Sequence, residues 1–158
     1  MAQPALGPGS TGPRKRALCG APDADGGTFA SRDQTRRDFE QILQLQANVV
    51  RVYYPPPAWF LDAAAEFGLR VLVDVPWPKH LCFLDSRDLQ RKAVEDVRAA
   101  VRSAAAHPAV FAFSVVNEIS AEIVRWSGGR RVEKFIDRLV TEAKAIDAGC
   151  LCTFASFP

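Results

Sequence analysis

The sequence predicts an α/β fold made of parallel (β/α) repeats, equivalent to a partial TIM barrel containing about strands 1/2 to 5. Two patterns indicate this fold. First, segments with helical periodicity alternate four times with segments of strand length. Second, the strand segments are apolar nearly throughout, as in a parallel sheet covered by helices. The chain has 158 residues, whereas a complete barrel needs at least about 200. An open, doubly wound sheet is the alternative architecture.

The N-terminal segment differs in composition from the rest of the chain. Residues 1–22 are rich in Gly, Pro and Ala and lack periodicity, which predicts a disordered arm. Within this arm, Arg16–Cys19 is the only candidate for a first strand. Residues 23–158 are expected to form the partial barrel domain.

Four helices and four strands are predicted to follow in regular order. Ser31 is expected to cap the first helix, with Gln34 completing a capping box. Gly68 ends the second helix, His107-Pro108 breaks the third, and residues 119–130 are expected to form a polar loop. The strands are predicted over residues 48–54, 69–75, 109–116 and 150–154, and the later helices over residues 58–67, 89–106 and 131–146.

Composition argues against several classes of function. The net charge is +2 and the one basic run is Arg14-Lys15-Arg16, so no nucleic-acid partner is expected. No apolar run reaches the roughly 20 residues of a membrane span, and no secretory signal is visible, which predicts a cytoplasmic protein. Nucleotide-binding glycine motifs and metal-ligand spacing are missing, so neither a cofactor nor a metal is expected. Cys150 and Cys152 are expected to point to opposite faces of the last strand.

Polar and aromatic residues lie where the predicted strands end. In parallel α/β folds, functional groups collect at the C-terminal ends of the strands. There, Glu118 is a candidate general acid with a pKa raised by partial burial; the alternative is a helix-start carboxylate favoured by the helix dipole. The residues at or near these ends are Arg51, Tyr53, Asp74, Trp77, Asn117 and Glu118.

The other candidates each have two interpretations. Arg51 lies between two valines, so a buried guanidinium there needs a carboxylate, either an active-site acid or Asp74 in a structural ion pair. Trp77 and Trp126 could stack on the C–H faces of a sugar or simply anchor loops. His80 could assist binding or be a surface residue.

Several segments resemble clan A glycoside hydrolases, most closely the TIM-barrel domain of glycoside hydrolase family 2. Residues 48–56, then Phe60-Leu61-Asp62 and residues 66–73, are similar to the second and third β/α units of that barrel. His107-Pro108-Ala109-Val110, leading to Val116-Asn117-Glu118, is similar to its fourth strand. The resemblance covers about residues 23–158.

The resemblance implies a retaining glycosidase. It implies that Asn117 contacts the sugar 2-hydroxyl, that Glu118 is the acid/base and that Arg51 helps to position the nucleophile. The nucleophilic glutamate of that clan lies on the seventh strand, past the last strand predicted here, so weak or no activity of this chain alone is expected. The residues expected to bind the carbohydrate substrate are Asn117, Arg51, Tyr53, Trp77, His80 and Trp126.

Two other functions stay open. The chain could be a carbohydrate-binding or partner-dependent fragment without catalysis, or an unrelated α/β domain with a doubly wound sheet. Exposed edges of a partial sheet also predict self-association.

Overall fold

The computed structural model describes residues 28–78 and 80–155, so the predicted arm of residues 1–22 and the candidate strand at Arg16–Cys19 lie outside the described residues. Four strands form one wholly parallel sheet, in which each strand pairs with the next along the chain. This unreversed order is that of a barrel wall, whereas a doubly wound sheet reverses its order at a switch point. The strands are β1 (Val49–Val52), β2 (Arg70–Asp74), β3 (Val110–Asn117) and β4 (Cys152–Ala155).

Helices alternate with these strands, and the predicted partial barrel is confirmed. The predicted polar loop at residues 119–130 is wrong, because much of it is helical. In this helix (Ala121–Ser127), the negative charge of Glu122 in the first turn and the positive charge of Arg125 in the last turn interact favourably with the helix dipole. Ile123 of the same helix is buried. The helices are α1 (Arg32–Gln44), α2 (Ala58–Glu66), α3 (Arg87–Ala104), α4 (Ala121–Ser127) and α5 (Gly129–Ile146), with a 3-10 turn at Phe83–Asp85.

The predicted helix ends are largely confirmed. The hydroxyl of Ser31 accepts the backbone N–H of Gln34 at 3.3 Å, which is half of a capping box. The other half is missing, because the Gln34 side chain donates to Asp38 at 2.7 Å instead. Gly68 follows α2 with a φ of 69°, a left-handed conformation that glycine adopts without a steric penalty.

The hydrophobic core lies between the sheet and its helices. Val50, Val52, Val71, Val73 and Phe113 alternate along the strands and are all buried in one apolar cluster with the helices. The residues that alternate with these along the strands lie on the opposite face of the sheet, and they include Arg51, Leu72 and Asp74. In a closed barrel that second face is the interior, so the polar groups there are directed towards the barrel axis.

The two cysteines near β4 contradict the sequence prediction. The sulfur atoms of Cys150 and Cys152 are 3.7 Å apart, so the side chains lie on the same side and not on opposite faces. The reason is the period of two along extended backbone, which places residues i and i+2 on one face.

Among the residues that the structure describes, no helix has the length and apolar character needed to cross a membrane.

Candidate active site

The C-terminal ends of β1, β2 and β3 bring three polar side chains together. Arg51 on β1 pairs in register with Leu72 on β2, and Asp74 lies two residues further along β2. Asn117 is the last residue of β3. Parallel strands end at the same edge of the sheet, so residues 66 positions apart in sequence meet there.

The Arg51–Asp74 ion pair is the centre of this cluster. Arg51 Nε donates to both carboxylate oxygens of Asp74 at 3.0 Å, and Nη2 donates to Oδ2 at 2.7 Å. The Asp74 side chain is fully buried, whereas that of Arg51 is 35% exposed. The structure therefore confirms Asp74 as an ion-pair partner of Arg51.

Charges around the guanidinium favour its protonated form. The hydrogen bond to Asp74 is the main cause that raises the pKa of Arg51, and partial desolvation opposes it. The charges of Asp74, Tyr53 and Glu118 raise this pKa further. The influence of Glu118 shows that its carboxyl shares the electrostatic environment of Arg51.

Arg51 also fixes the orientation of the Asn117 amide. Its Nη2 group donates to Asn117 Oδ1 at 3.2 Å, and Asn117 is buried. Because the amide oxygen already accepts this bond, the Nδ2 hydrogens are the part of Asn117 best suited to donate to a ligand.

Glu118 has an unusual backbone conformation. Its φ is 63°, in the left-handed region that costs a side-chain-bearing residue about 1–2 kcal/mol. Its N–H donates to the carbonyl of Ala155 on β4 at 3.1 Å. It precedes Ser120, the N-cap of α4, so Glu118 lies outside the first turn and the helix-start interpretation does not describe it.

A cavity of about 670 Å³ adjoins this cluster. Three residues predicted to bind carbohydrate, Tyr53, Trp77 and Asn117, line it. The guanidinium of Arg51 lies 5.3 Å from the centre of the Tyr53 ring, within cation–π range. Trp77 is held edge-on against Phe83, with ring centres 4.8 Å apart, so its indole both packs on the core and faces the cavity.

The other predicted binding residues are placed differently. Trp126 is 73% exposed and its indole N–H donates to Asp85 at 2.7 Å. Neither Trp126 nor His80 lines the cavity. The cavity wall includes Tyr54 and Leu81, which sequence reasoning missed; the aromatic pair at residues 53–54 was the available signal for Tyr54.

No cluster of three or more potential metal ligands occurs in the part of the chain that the structure describes.

The sheet order and its helices define the chain as a segment of a parallel (β/α) barrel, and solved structures share this fold. The β-glucuronidase of Bacteroides uniformis matches with 20% identity and a TM-score of 0.68, over 88% of this chain and 18% of that chain. The FMN-binding β-glucuronidase of Faecalibacterium prausnitzii matches with 23% identity and a TM-score of 0.66, over 83% and 20%. The Ruminococcus gnavus β-glucuronidase in complex with D-glucuronic acid matches with 21% identity and a TM-score of 0.65, over 78% and 20%.

These matches confirm the predicted resemblance at the level of the fold. The chain spans about a fifth of the length of each of the three enzymes. By sequence alone, neither a family model nor a curated relative matches the chain.

Proposed function

We propose that this chain carries the acid/base part of a retaining glycosidase site that acts on O-glycosidic bonds. Glu118 is the proposed general acid and base, and Asn117 the contact to a sugar hydroxyl. One observation supports this most: Asn117 ends a barrel strand and Glu118 follows it, beside the Arg51–Asp74 pair, in a fold shared with β-glucuronidases.

The proposed chemistry follows from the residue types. In a retaining mechanism, one carboxyl protonates the leaving oxygen while a second, about 5–5.5 Å away, attacks the anomeric carbon. The first carboxyl then removes a proton from the water that releases the sugar. Glu118 is half-buried and directly follows Asn117, the last residue of β3.

Asp74 is unsuited to be the second carboxyl. It is fully buried, and both of its oxygens accept hydrogen bonds from Arg51. A nucleophile must reach the anomeric carbon with an available oxygen. In the described residues, Asp74 is the only carboxylate besides Glu118 at the C-terminal end of a strand, so we expect the 158-residue chain alone to bind sugar with little or no turnover.

β-D-Glucuronides are the first ligands to test. The matched structures are β-glucuronidases, and one of them contains D-glucuronic acid. Calorimetry should show that methyl β-D-glucuronide binds the wild-type chain, and that Glu118→Gln weakens binding by about tenfold, which corresponds to one charge-assisted hydrogen bond. Glu122→Gln is the matched control, because Glu122 is exposed on α4 only four residues away.

Hydrolysis is assayed separately with an aryl β-D-glucuronide. The expected rate for the wild-type chain does not exceed that of Glu118→Gln. Rapid turnover that Glu118→Gln abolishes would contradict the expected inactivity while supporting the role of Glu118. Equal binding by wild type and Glu118→Gln would contradict the proposed catalytic site.

A second candidate function is carbohydrate binding without catalysis. The aromatic residues at the cavity, Tyr53 and Trp77, favour it, since aromatic faces bind the apolar faces of sugars. Under this alternative a glucuronide quenches Trp77 fluorescence equally in wild type and in Glu118→Gln, and no condition produces turnover.

A further inference from the structure

A pair of thiols lies at the start of β4, apart from the proposed catalytic site. Cys152 is the first residue of β4, and Cys150 precedes it by two positions. Glu118 contacts the other end of the same strand, through the carbonyl of Ala155. Cys150 is buried and Cys152 is partly accessible. Because both side chains lie on one side of the extended backbone, their sulfur atoms can bind one ligand together.

The separation of the two sulfur atoms suits a shared metal ion. At 3.7 Å the sulfur atoms of Cys150 and Cys152 are too far apart for a disulfide bond, which is about 2.0 Å long. Two sulfur atoms that each bind one ion at about 2.3 Å, with an angle of about 109–120° between the bonds, lie about 3.8–4.0 Å apart. A small rotation of the side chains therefore brings both sulfur atoms to bonding distance of one ion.

Hydrogen bonds fix the backbone on both sides of the pair. The N–H of Cys150 donates to the carbonyl of Asp147 at 3.2 Å. The carbonyl of Leu151, between the two cysteines, accepts the N–H of Phe113 on β3 at 2.9 Å. Lys144 of α5 donates from Nζ to the Cys150 carbonyl at 3.1 Å. The two thiols are thus held in place before any ligand arrives, so that binding orders little additional chain.

We propose that Cys150 and Cys152 bind one Cu(I) ion. Cysteine sulfur is a soft ligand that favours Cu(I), and this ion is stable with two or three ligands. Zn(II) in a structural site needs four ligands, and the described part of the chain holds no group of three or more His, Cys, Asp or Glu side chains that could supply them. On binding, two S–H bonds break, two S–Cu bonds form and both thiol protons pass to the solvent, while copper keeps its oxidation state.

Competition with a chromophoric Cu(I) chelator tests the site. The reference protein carries Cys19→Ser and Cys82→Ser, so that the pair alone remains of the four cysteines. With ascorbate present and bathocuproine disulfonate as the competitor, the reference protein should bind one Cu(I) per chain. Cys150→Ser and Cys152→Ser, each added to the reference protein, should raise the dissociation constant at least about a hundredfold, because a single thiol then replaces a chelating pair.

A second measurement needs no substitution in the core. The wild-type chain, with and without one equivalent of Cu(I), is alkylated with iodoacetamide, and the modified thiols are quantified by peptide mass spectrometry. Bound copper should protect Cys152 from alkylation. Cys82 is the internal control, because it is exposed and free and should react equally fast in both samples.

The outcomes that overturn the assignment are distinct. If the reference protein binds no Cu(I), or if both single variants bind it as tightly as the reference protein does, the proposal is wrong. Equal alkylation of Cys152 with and without copper also overturns it, since the two sulfur atoms then only pack against each other. Zn(II) is the control ion, which the reference protein should lose to a competing chelator. Zn(II) binding as tight as that of Cu(I) would overturn the two-ligand assignment, because a tight zinc site requires further ligands.

Discussion

The buried carboxylate of Asp74 holds the guanidinium of Arg51 through both of its oxygens, with Nε···O distances of 3.0 Å. The same guanidinium donates to Asn117 at 3.2 Å. One carboxylate with no exposed surface therefore orients, through Arg51, the amide next to the proposed acid/base. The network joins three adjacent strands and leaves Asp74 in a positioning role, since it has no surface on which to meet a ligand.

Asp74→Asn should destabilise the fold. The substitution keeps the shape of the side chain but removes the charge, so Arg51 loses its anionic partner. Removing one member of a fully buried pair costs about 3 kcal/mol or more. Because water reaches the Arg51 side chain, which is 35% exposed, we expect a smaller loss of about 1–3 kcal/mol in the free energy of unfolding measured with urea. Asp88→Asn is the control, because Asp88 and Arg91 form a pair whose side chains are 83% and 67% exposed, and such pairs contribute less than about 1 kcal/mol. Equal losses of unfolding free energy in both variants would show that the Arg51–Asp74 pair contributes no more to stability than an exposed pair.

The backbone of Glu118 gives a second prediction. Its φ of 63° suits glycine better than any residue with a Cβ atom. Glu118→Gly should therefore be more stable than Glu118→Ala by about 1 kcal/mol in urea unfolding, although both variants lose the carboxyl. Comparing these two variants cancels the effect of the missing side chain. An alanine variant as stable as the glycine variant would mean that this segment relaxes away from the left-handed conformation.

Much of the fold could be predicted from the sequence because its signals are local. Gly68 and the prolines at positions 55–57 mark where elements end, and the four apolar runs mark the strands. The helix α4 was missed because it is short and lies between residues that favour loops, so its buried face at Ile123 gives little periodicity. It packs against α5, a tertiary contact that a sequence window cannot reveal.

The candidate site was only partly predictable. The sequence predicted that Arg51 pairs with Asp74 or with an active-site acid, because a charged side chain on an apolar strand needs a partner of opposite charge. The hydrogen bond from Arg51 to Asn117 was not visible, because it depends on register across two strand pairs. The left-handed backbone of Glu118 was equally hidden, because an Asn-Glu dipeptide carries no conformational signature comparable to that of glycine.

The thiol of Cys152 should make stability depend on alkaline pH. Burial is the main cause that raises its pKa from 9.0 to about 12, with hydrogen bonding to Cys150 as the second cause. Between these values the unfolded chain loses the thiol proton while the folded chain keeps it. The stabilising contribution is thus complete below about pH 9 and is lost as the pH rises towards about 12.

The test compares wild type with Cys152→Ala in urea at several pH values. The difference in the free energy of unfolding between the two should stay constant up to about pH 9 and change steadily above it, with wild type losing its advantage. Cys82→Ala is the control, because Cys82 is exposed. A difference that does not vary with pH would indicate that the Cys152 thiol ionises as readily in the folded chain as in the unfolded one.

The edge of the sheet at β4 gives the last prediction, which concerns self-association. In the described sheet β4 is an edge strand, and Phe154 on it is 52% exposed. An uncovered strand edge with an exposed aromatic residue favours pairing with another copy, and a lysine on such an edge opposes it. We expect sedimentation velocity to show concentration-dependent association of the wild-type chain, with an association constant reduced at least about tenfold in Phe154→Lys.

Leu45→Lys adds the same charge at a 79% exposed position outside the sheet, so it separates a local effect at the edge from a change in net charge. If both lysine variants reduce association equally, general charge repulsion and not the β4 edge controls it; if wild type stays monomeric at all concentrations, the predicted edge pairing does not occur.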